Sequence, residues 1–300
     1  MTAQEVMDAH AKSFSWAARF LLPEARREAA QLYAFARLAD DLADEDQLGQ
    51  WSERMRQLQV LESNVLNPDA GSGFGQQVGK MLYAKGVSAD VVRSFMTCLN
   101  QDAGPRCIQT TEELLQFAYG VAGTVGQMMC PILGAANQAQ PYATALGVAM
   151  QLTNIARDVV EDAARERCYI PAQWGVSAQA LRAPENNAQA AQSFAAIQKL
   201  LRLADDFYAY SHQGLAQIPK GNRRAIRIAT ALYRDIGHKI VRGGPTRYWL
   251  GRTSLGRLEK LKLIAACYFS VNQLPDTAVR DVVRQDLKHL ALVPGFPASL

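Results

Sequence analysis

Two segments of this chain hold oxygen-bearing side chains at spacings that could bind a hard cation. The first runs Tyr33-Ala-Phe-Ala-Arg37-Leu-Ala-Asp40-Asp41-Leu-Ala-Asp44. On a helix Tyr33, Arg37, Asp40 and Asp44 share one face, at i, i+4, i+7 and i+11. Asp40 and Asp44 then sit one turn apart and repel, unless a divalent cation between them turns repulsion into coordination. The second segment runs Gln151-Leu-Thr-Asn154-Ile-Ala-Arg157-Asp158-Val-Val-Glu161-Asp162. Gln151, Asn154, Asp158 and Asp162 again share a face, flanked by apolar Leu152, Ile155, Val159 and Val160. A buried stripe of amides and carboxylates is costly without partners, so it should line a cavity that holds ions or water.

Oxygen ligands without histidine or thiolate suit Mg²⁺, with Mn²⁺ as the alternative, and such a site takes carboxylates plus phosphate oxygens of a substrate. Two such helices face to face would clamp a diphosphate through bridging metals and promote its departure to leave an allylic carbocation. A lone Asp-Asp-x-x-Asp on a helix is common on solvated surfaces. The second cluster resists that reading, because its amide pair alternates with strongly apolar neighbours.

Helices must position these groups. Helix formers dominate, and apolar residues recur every three or four positions. The pattern predicts helices near 3–20, 24–45, 50–66, 76–85, 88–102, 111–136, 142–163, 188–215, 222–242 and 255–270. Loops are expected at Gly71–Gly75, Arg165–Val176 and Gly243–Ser254, and Pro23, Pro68, Pro141, Pro171 and Pro219 mark helix ends. No stretch alternates like a strand hairpin. The expectation is an all-α fold in a single helical domain over 1–300.

The 300 residues are 49% apolar, enough for a full core, and carry a formal charge of +4. Fourteen Lys or Arg against four acids fall between Lys199 and Lys262, either a solvated basic surface or a region facing phosphate or an anionic membrane. The five cysteines are odd in number and form no CxxC pair, which argues against a disulfide framework or zinc site and suits the cytoplasm. The N-terminus has no hydrophobic signal core, and the longest apolar stretch, Val121–Ala136, is broken by Gln127 and Pro131. A soluble cytoplasmic protein is expected, one that touches the inner face of a membrane peripherally. His212, His238 and His289 lack ligand spacing and read as ordinary helix residues.

At these residues the chain resembles the squalene and phytoene synthase family, the head-to-head prenyl transferases. The resemblance is carried by HAKSFSWAARFLLP (His10–Pro23), YAFARLADDLAD (Tyr33–Asp44), YGVAGTVG (Tyr119–Gly126) and QLTNIARDVVEDAARERCYIP (Gln151–Pro171), with a weaker match over Ile218–Ile236. It covers roughly the first 260 residues, and the wording looks closest to bacterial phytoene synthases and their dehydrosqualene-forming relatives. The family implies two aspartate-rich helices on opposite walls of a cavity. It also implies that two prenyl diphosphates join through a cyclopropylcarbinyl diphosphate that rearranges to a linear hydrocarbon. By motif match Asp40, Asp44, Asn154, Asp158 and Asp162 would hold metal. Lys12, Arg37, Arg157, Tyr233 and Arg252 would meet diphosphate oxygens, with Ser13, Phe14, Tyr33 and Gln151 beside them.

The chain departs from the family at Phe117, where a tyrosine usually stands four residues before Val121. The departure places Phe117 among the expected catalytic residues and leaves the product of the second half-reaction open. Chain length (C15 or C20) and use of NADPH are equally open, since no Gly-rich nucleotide fingerprint occurs and squalene-forming relatives lack one too. The small residues Ala122, Gly123, Gly126 and Gly134 fit helix packing, and would equally leave room for a prenyl tail. A head-to-tail transferase or terpene cyclase is disfavoured, because the second cluster follows neither pattern. A non-catalytic assembly protein would be expected to lose its carboxylates. A nucleic-acid partner is not expected, because both acidic clusters would repel phosphate without metal.

Overall fold

A computed structural model describes residues 2–10, 12–44, 51–102 and 104–269. The chain opens with two short helices, α1 (Ala3–His10) and α2 (Lys12–Ala18), and then α3 (Pro23–Asp44). Pro23 starts α3, where its missing N–H costs nothing and its fixed φ is already helical. Next come α4 (Trp51–Leu66), α5 (Phe74–Ala84), α6 (Ala89–Asp102) and α7 (Thr111–Ala118). Thr110 caps α7 by accepting from Glu113 N at 3.1 Å.

The expected helix over 111–136 is three pieces. After α7 comes a π-turn over Tyr119–Gly123, with Thr124 N bonded to Tyr119 O, and then α8 (Thr124–Ile132). The remaining helices are α9 (Gln140–Ala164), α10 (Ala178–Arg182), α11 (Asn187–His212), α12 (Lys220–Tyr248) and α13 (Arg257–Phe269). Part of the loop expected at Gly243–Ser254 is helical, since α12 resumes beyond a break at Gly244 (φ 72°, ψ 179°) followed by Pro245. The all-α expectation holds. The strands found are one parallel pair of two residues each, β1 (Arg106–Cys107) and β2 (Arg167–Cys168).

Helix α9 is the axis of the larger core, with Val148, Leu152, Ile155 and Ala156 fully buried against α11 and α12. A second core joins α3 to α4, α5 and α6 through Leu32, Phe35, Leu58 and Met96. The two cores put α3 and α9 on either side of the cavity described next. Two glycines set how closely α8 and α9 cross. A Cβ on Gly126 would strike the Ala143 carbonyl, and one on Gly147 would strike the Ala122 carbonyl.

Candidate active site

Between α2, α3, α8, α9 and α12 lies a cavity of about 280 Å³. Its wall is almost wholly apolar, including Ala18, Leu21, Val125, Met129, Leu146 and Ala229. Polar side chains from the two motif helices enter it at one end: Tyr33 from α3, and Gln151 and Asn154 from α9. Asn154 Nδ2 donates to Gln151 Oε1 at 3.4 Å, and Asn154 Oδ1 is buried with no hydrogen-bond partner among the described residues. An orphaned amide oxygen is costly, and a hard cation or ligand donor would satisfy it.

Further along each helix stand the carboxylates, Asp40 two turns beyond Tyr33 and Asp158 one turn beyond Asn154. On α3 Arg37 pairs with Asp40 at 3.5 Å and more tightly with Asp41. Asp41 was not among the residues singled out by spacing, and the adjacent pair Asp40-Asp41 was the available signal. On α9 Arg157 donates to Asp158 from Nε at 2.8 Å and Nη2 at 2.5 Å. Arg252 donates to the same carboxylate at 2.6 and 3.0 Å. Burial pushes the Asp158 carboxyl up, but the hydrogen bonds from both arginines outweigh it and hold it below the usual carboxylate range.

An aromatic group stands between the cavity and these charges. The Phe14 ring lies 4.8 Å from that of Tyr233 and 6.4 Å from that of Tyr33. Burial pushes the Tyr233 hydroxyl up to about 12, against the pull of nearby Arg157. Tyr33 is likewise raised, first by burial, against the effect of Arg37 and with Asp40 and Asp41 adding to it. The structure therefore brings Phe14, Tyr33, Arg37, Asp40, Gln151, Asn154, Arg157, Asp158, Tyr233 and Arg252 to one end of the cavity.

The other expected residues fall elsewhere. Ser13 is half-buried on α2 and does not line the cavity. The side chains of Lys12 and Asp44 lie outside the described residues. Asp162 borders a separate small void with Arg167, Cys168 and Tyr169. Among the described residues no three carboxylate, imidazole or thiolate groups converge on one point.

Phe117 also lies off the cavity wall. It is buried and stacked on Tyr169, with centroids 4.6 Å apart and planes 7° from parallel. The Arg106 guanidinium covers the Phe117 ring at 5.0 Å. Tyr169 donates to Asp102 at 2.7 Å, and burial pushes the Asp102 carboxyl up despite that bond. Phe117 sits near the end of α7, ahead of the π-turn, and Tyr169 and Arg106 hold its ring against the core away from the cavity. Val121, Ala122, Val125 and Gly126 do line the cavity, so the small residues of this segment serve both packing and space.

The distal wall contains residues that spacing did not single out. Ser211, His212 and Thr230 lie there among apolar neighbours. Ser211 donates to Tyr208 O at 2.8 Å and Thr230 to Ile226 O at 2.9 Å, so both hydroxyls are turned to their own helices.

Comparison with known proteins agrees with this arrangement. The family model described as squalene/phytoene synthase matches residues 7–259. The chain is 32% identical over 275 residues to a 15-cis-phytoene synthase of Enterobacter agglomerans, covering 87% of this chain and 92% of that one. It is 33% identical over 280 residues to a 15-cis-phytoene synthase of Pantoea ananas, covering 88% and 89%. Among solved structures, a dehydrosqualene synthase in complex with a ligand superposes with a TM-score of 0.78 at 26% identity, covering 89% of this chain and 94% of that one. A squalene synthase from Alicyclobacillus acidocaldarius, at 20% identity and a TM-score of 0.69, shares the fold and covers 81% and 92%. With the motif residues gathered on facing helices at one end of an apolar cavity, this chain belongs to the squalene/phytoene synthase family.

Proposed function

We propose that this protein joins two geranylgeranyl diphosphates head to head and releases phytoene. The observation that carries this reading is the division of the cavity: an apolar wall of the kind prenyl chains need, with amides at one end and arginines and aspartates on the same helices beyond them. The names of the phytoene synthases it resembles support the C20 substrate. Loss of one diphosphate and one proton joins the two chains as a cyclopropylcarbinyl diphosphate. Loss of the second diphosphate and a second proton, with rearrangement, gives the linear product. A farnesyl-using enzyme that makes squalene, hydroxysqualene or dehydrosqualene is the competing reading, favoured by the structural likeness to a dehydrosqualene synthase.

The donor set fits Mg²⁺ or Mn²⁺, because it consists of hard oxygens and contains a buried amide oxygen in need of a partner. Asn154 and Asp158 from α9, and Asp40 with Asp44 from α3, would hold the ions. Bound there, the metal would neutralise charge on the departing diphosphate. The chain's own residues do the rest. Arg37, Arg157 and Arg252 meet diphosphate oxygens, Phe14, Tyr33 and Tyr233 shield the ionising carbon from water, and the apolar wall aligns the chains.

Catalysis on greasy substrates favours a cytoplasmic enzyme seated peripherally on the inner membrane face. Among the described residues no helix is long and apolar enough to cross a membrane. Leu250 and Leu258, 83% and 74% exposed beside Arg252 and Arg257, offer apolar and cationic groups together.

Mass spectrometry of the hydrocarbon made from C20 and C15 diphosphates tests the reading. Phytoene carries two hydrogens fewer than the product of hydride transfer, so the same spectrum, taken with and without NADPH, decides whether a nicotinamide takes part. Hydrocarbon from the C15 substrate alone would overturn the C20 assignment.

A further inference from the structure

Behind α9, α11 and α12 enclose a second groove of about 330 Å³. Helix α9 stands between the two cavities: Gln151 and Asn154 line the first, and Thr153 lines the second. The floor is rigid. The hydroxyls of Tyr208 and Thr153 lie 3.0 Å apart, and both residues are buried. Gly237 lets the two helices close beneath the groove, since a Cβ there would come within 2.9 Å of Leu201 Cδ2.

The walls are two facing polar stripes. Gln198, Arg202 and Asp205 recur at i, i+4 and i+7 on α11, and Arg234, His238 and Arg242 at i, i+4 and i+8 on α12. Asp205 accepts from Arg234 Nε at 2.6 Å, and Asp235 accepts from Arg242 Nη2 at 3.2 Å. His238 lies 3.6 Å from Asp205 and 3.9 Å from Asp235. Arg202 forms no ion pair among the described residues. Three guanidinium groups thus line one concavity with one carboxylate, Asp205, while Asp235, outside the lining, accepts from Arg242. The terminal nitrogens of Arg234 have no partner among the described residues, since its ion pair uses Nε. Guanidinium forks match phosphate oxygens in geometry, and a groove with low-dielectric walls concentrates their field. A merely solvated basic face would spread these cations apart rather than gather them around a void.

We propose that this groove is a second anion site, binding a multivalent phosphate group through Arg202, Arg234 and Arg242 without a metal. The phosphate could be free, as in inorganic diphosphate, or carried by an anionic lipid headgroup, and the chemistry of recognition is the same.

Calorimetric titration of the full chain with inorganic diphosphate in excess chelator reads this site, because metal-bridged binding is suppressed there. The expected result is a single binding event weakened about tenfold or more in Arg202→Gln/Arg242→Gln and unchanged in Arg252→Gln. A parallel sedimentation with phosphatidylcholine vesicles, with and without phosphatidylglycerol, identifies the source. If diphosphate gives no heat but phosphatidylglycerol vesicles retain the chain and release the double variant, the site stands and its phosphate is lipid-borne. Melting curves check that the double variant folds. If it does not, Arg202→Gln alone carries the test, since Arg202 is exposed and unpaired. Binding that disappears with Arg252→Gln and survives the double variant, or no binding in either assay, overturns the proposal.

Discussion

Arg252 grips Asp158 with two nitrogens, at 2.6 and 3.0 Å, across 94 residues of chain. Arg157 holds the same carboxylate from its own helix. The break at Gly244 and Pro245 turns the chain back so that Arg252 can reach α9. Because Arg252 helps hold the Asp158 carboxyl below its ordinary range, Arg252→Gln should raise it. Activity that needs the ionised carboxylate is lost as pH falls through its pKa. The acid limb of the pH–rate profile should therefore move to higher pH in the variant, with the alkaline limb unmoved. An acid limb that stays in place would separate Asp158 from the rate-determining ionisation.

Excess chelator should abolish turnover, and Mg²⁺ or Mn²⁺ should restore it. Asp158→Asn should lower turnover at least about 10²-fold, because charge is removed from the metal's ligand set. The same change leaves Arg157 and Arg252 facing each other without the negative charge they share and with one acceptor oxygen in place of two, so a stability loss of roughly 1.5–3 kcal/mol is expected at neutral pH. Asp40→Asn should instead leave the melting temperature nearly unchanged, since its exposed pairing with Arg37 at 3.5 Å contributes little. Full activity in chelator would refute the metal assignment.

Gly147→Ala and Gly126→Ala should each destabilise by about 1–3 kcal/mol, because the added methyl meets a backbone carbonyl that cannot step aside. Both lie on the cavity wall, so turnover should fall beyond what the lost stability explains. Calorimetric melts paired with kinetics on the folded fraction measure the two effects. Unchanged melting would mean that α8 and α9 separate easily.

Phe117→Ala should cost about 3–5 kcal/mol, as expected for emptying a packed aromatic site. Phe117→Tyr should cost roughly 1–3 kcal/mol if the new hydroxyl finds no partner, and should leave the product mass unchanged. That outcome differs from what the family pattern alone implied, namely an altered product ratio. A new hydrocarbon from Phe117→Tyr would show that the ring communicates with the cavity after all.

The case of Phe117 also marks where sequence reading stops. The family pattern placed it among the catalytic residues, but a motif match fixes a position in the chain and not the direction of a ring. Its partners Tyr169 and Arg106 come from other elements, and the π-turn that follows at Tyr119–Gly123 is not announced by Tyr-Gly-Val-Ala-Gly either. On α9 the spacing agrees with the geometry: Gln151 and Asn154 line the cavity, and Asp158 stands one turn beyond Asn154. Asp162, at the same spacing, sits in the last turn of α9, where Arg167 and Tyr169 of the returning chain form its surroundings. The Arg252–Asp158 pair could not be derived from spacing, because its partners are brought together by a chain reversal. The family resemblance implied only a diphosphate contact for Arg252, and the pairing itself comes from the structure.

The one-ended polarity of the cavity has a consequence for how two amphiphiles can lie inside it. Placed antiparallel, one of them would bury its diphosphate among Leu21, Met129 and Ala229, where the few polar groups of the distal wall, His212 among them, cannot replace the water it left. Placed parallel, both keep their charges at the end where Tyr33, Gln151 and Asn154 enter, and their charge-bearing carbons are brought abreast. The bond connectivity of the product then follows from where grease ends and polarity begins. No residue needs to touch the forming bond for its position to be chosen.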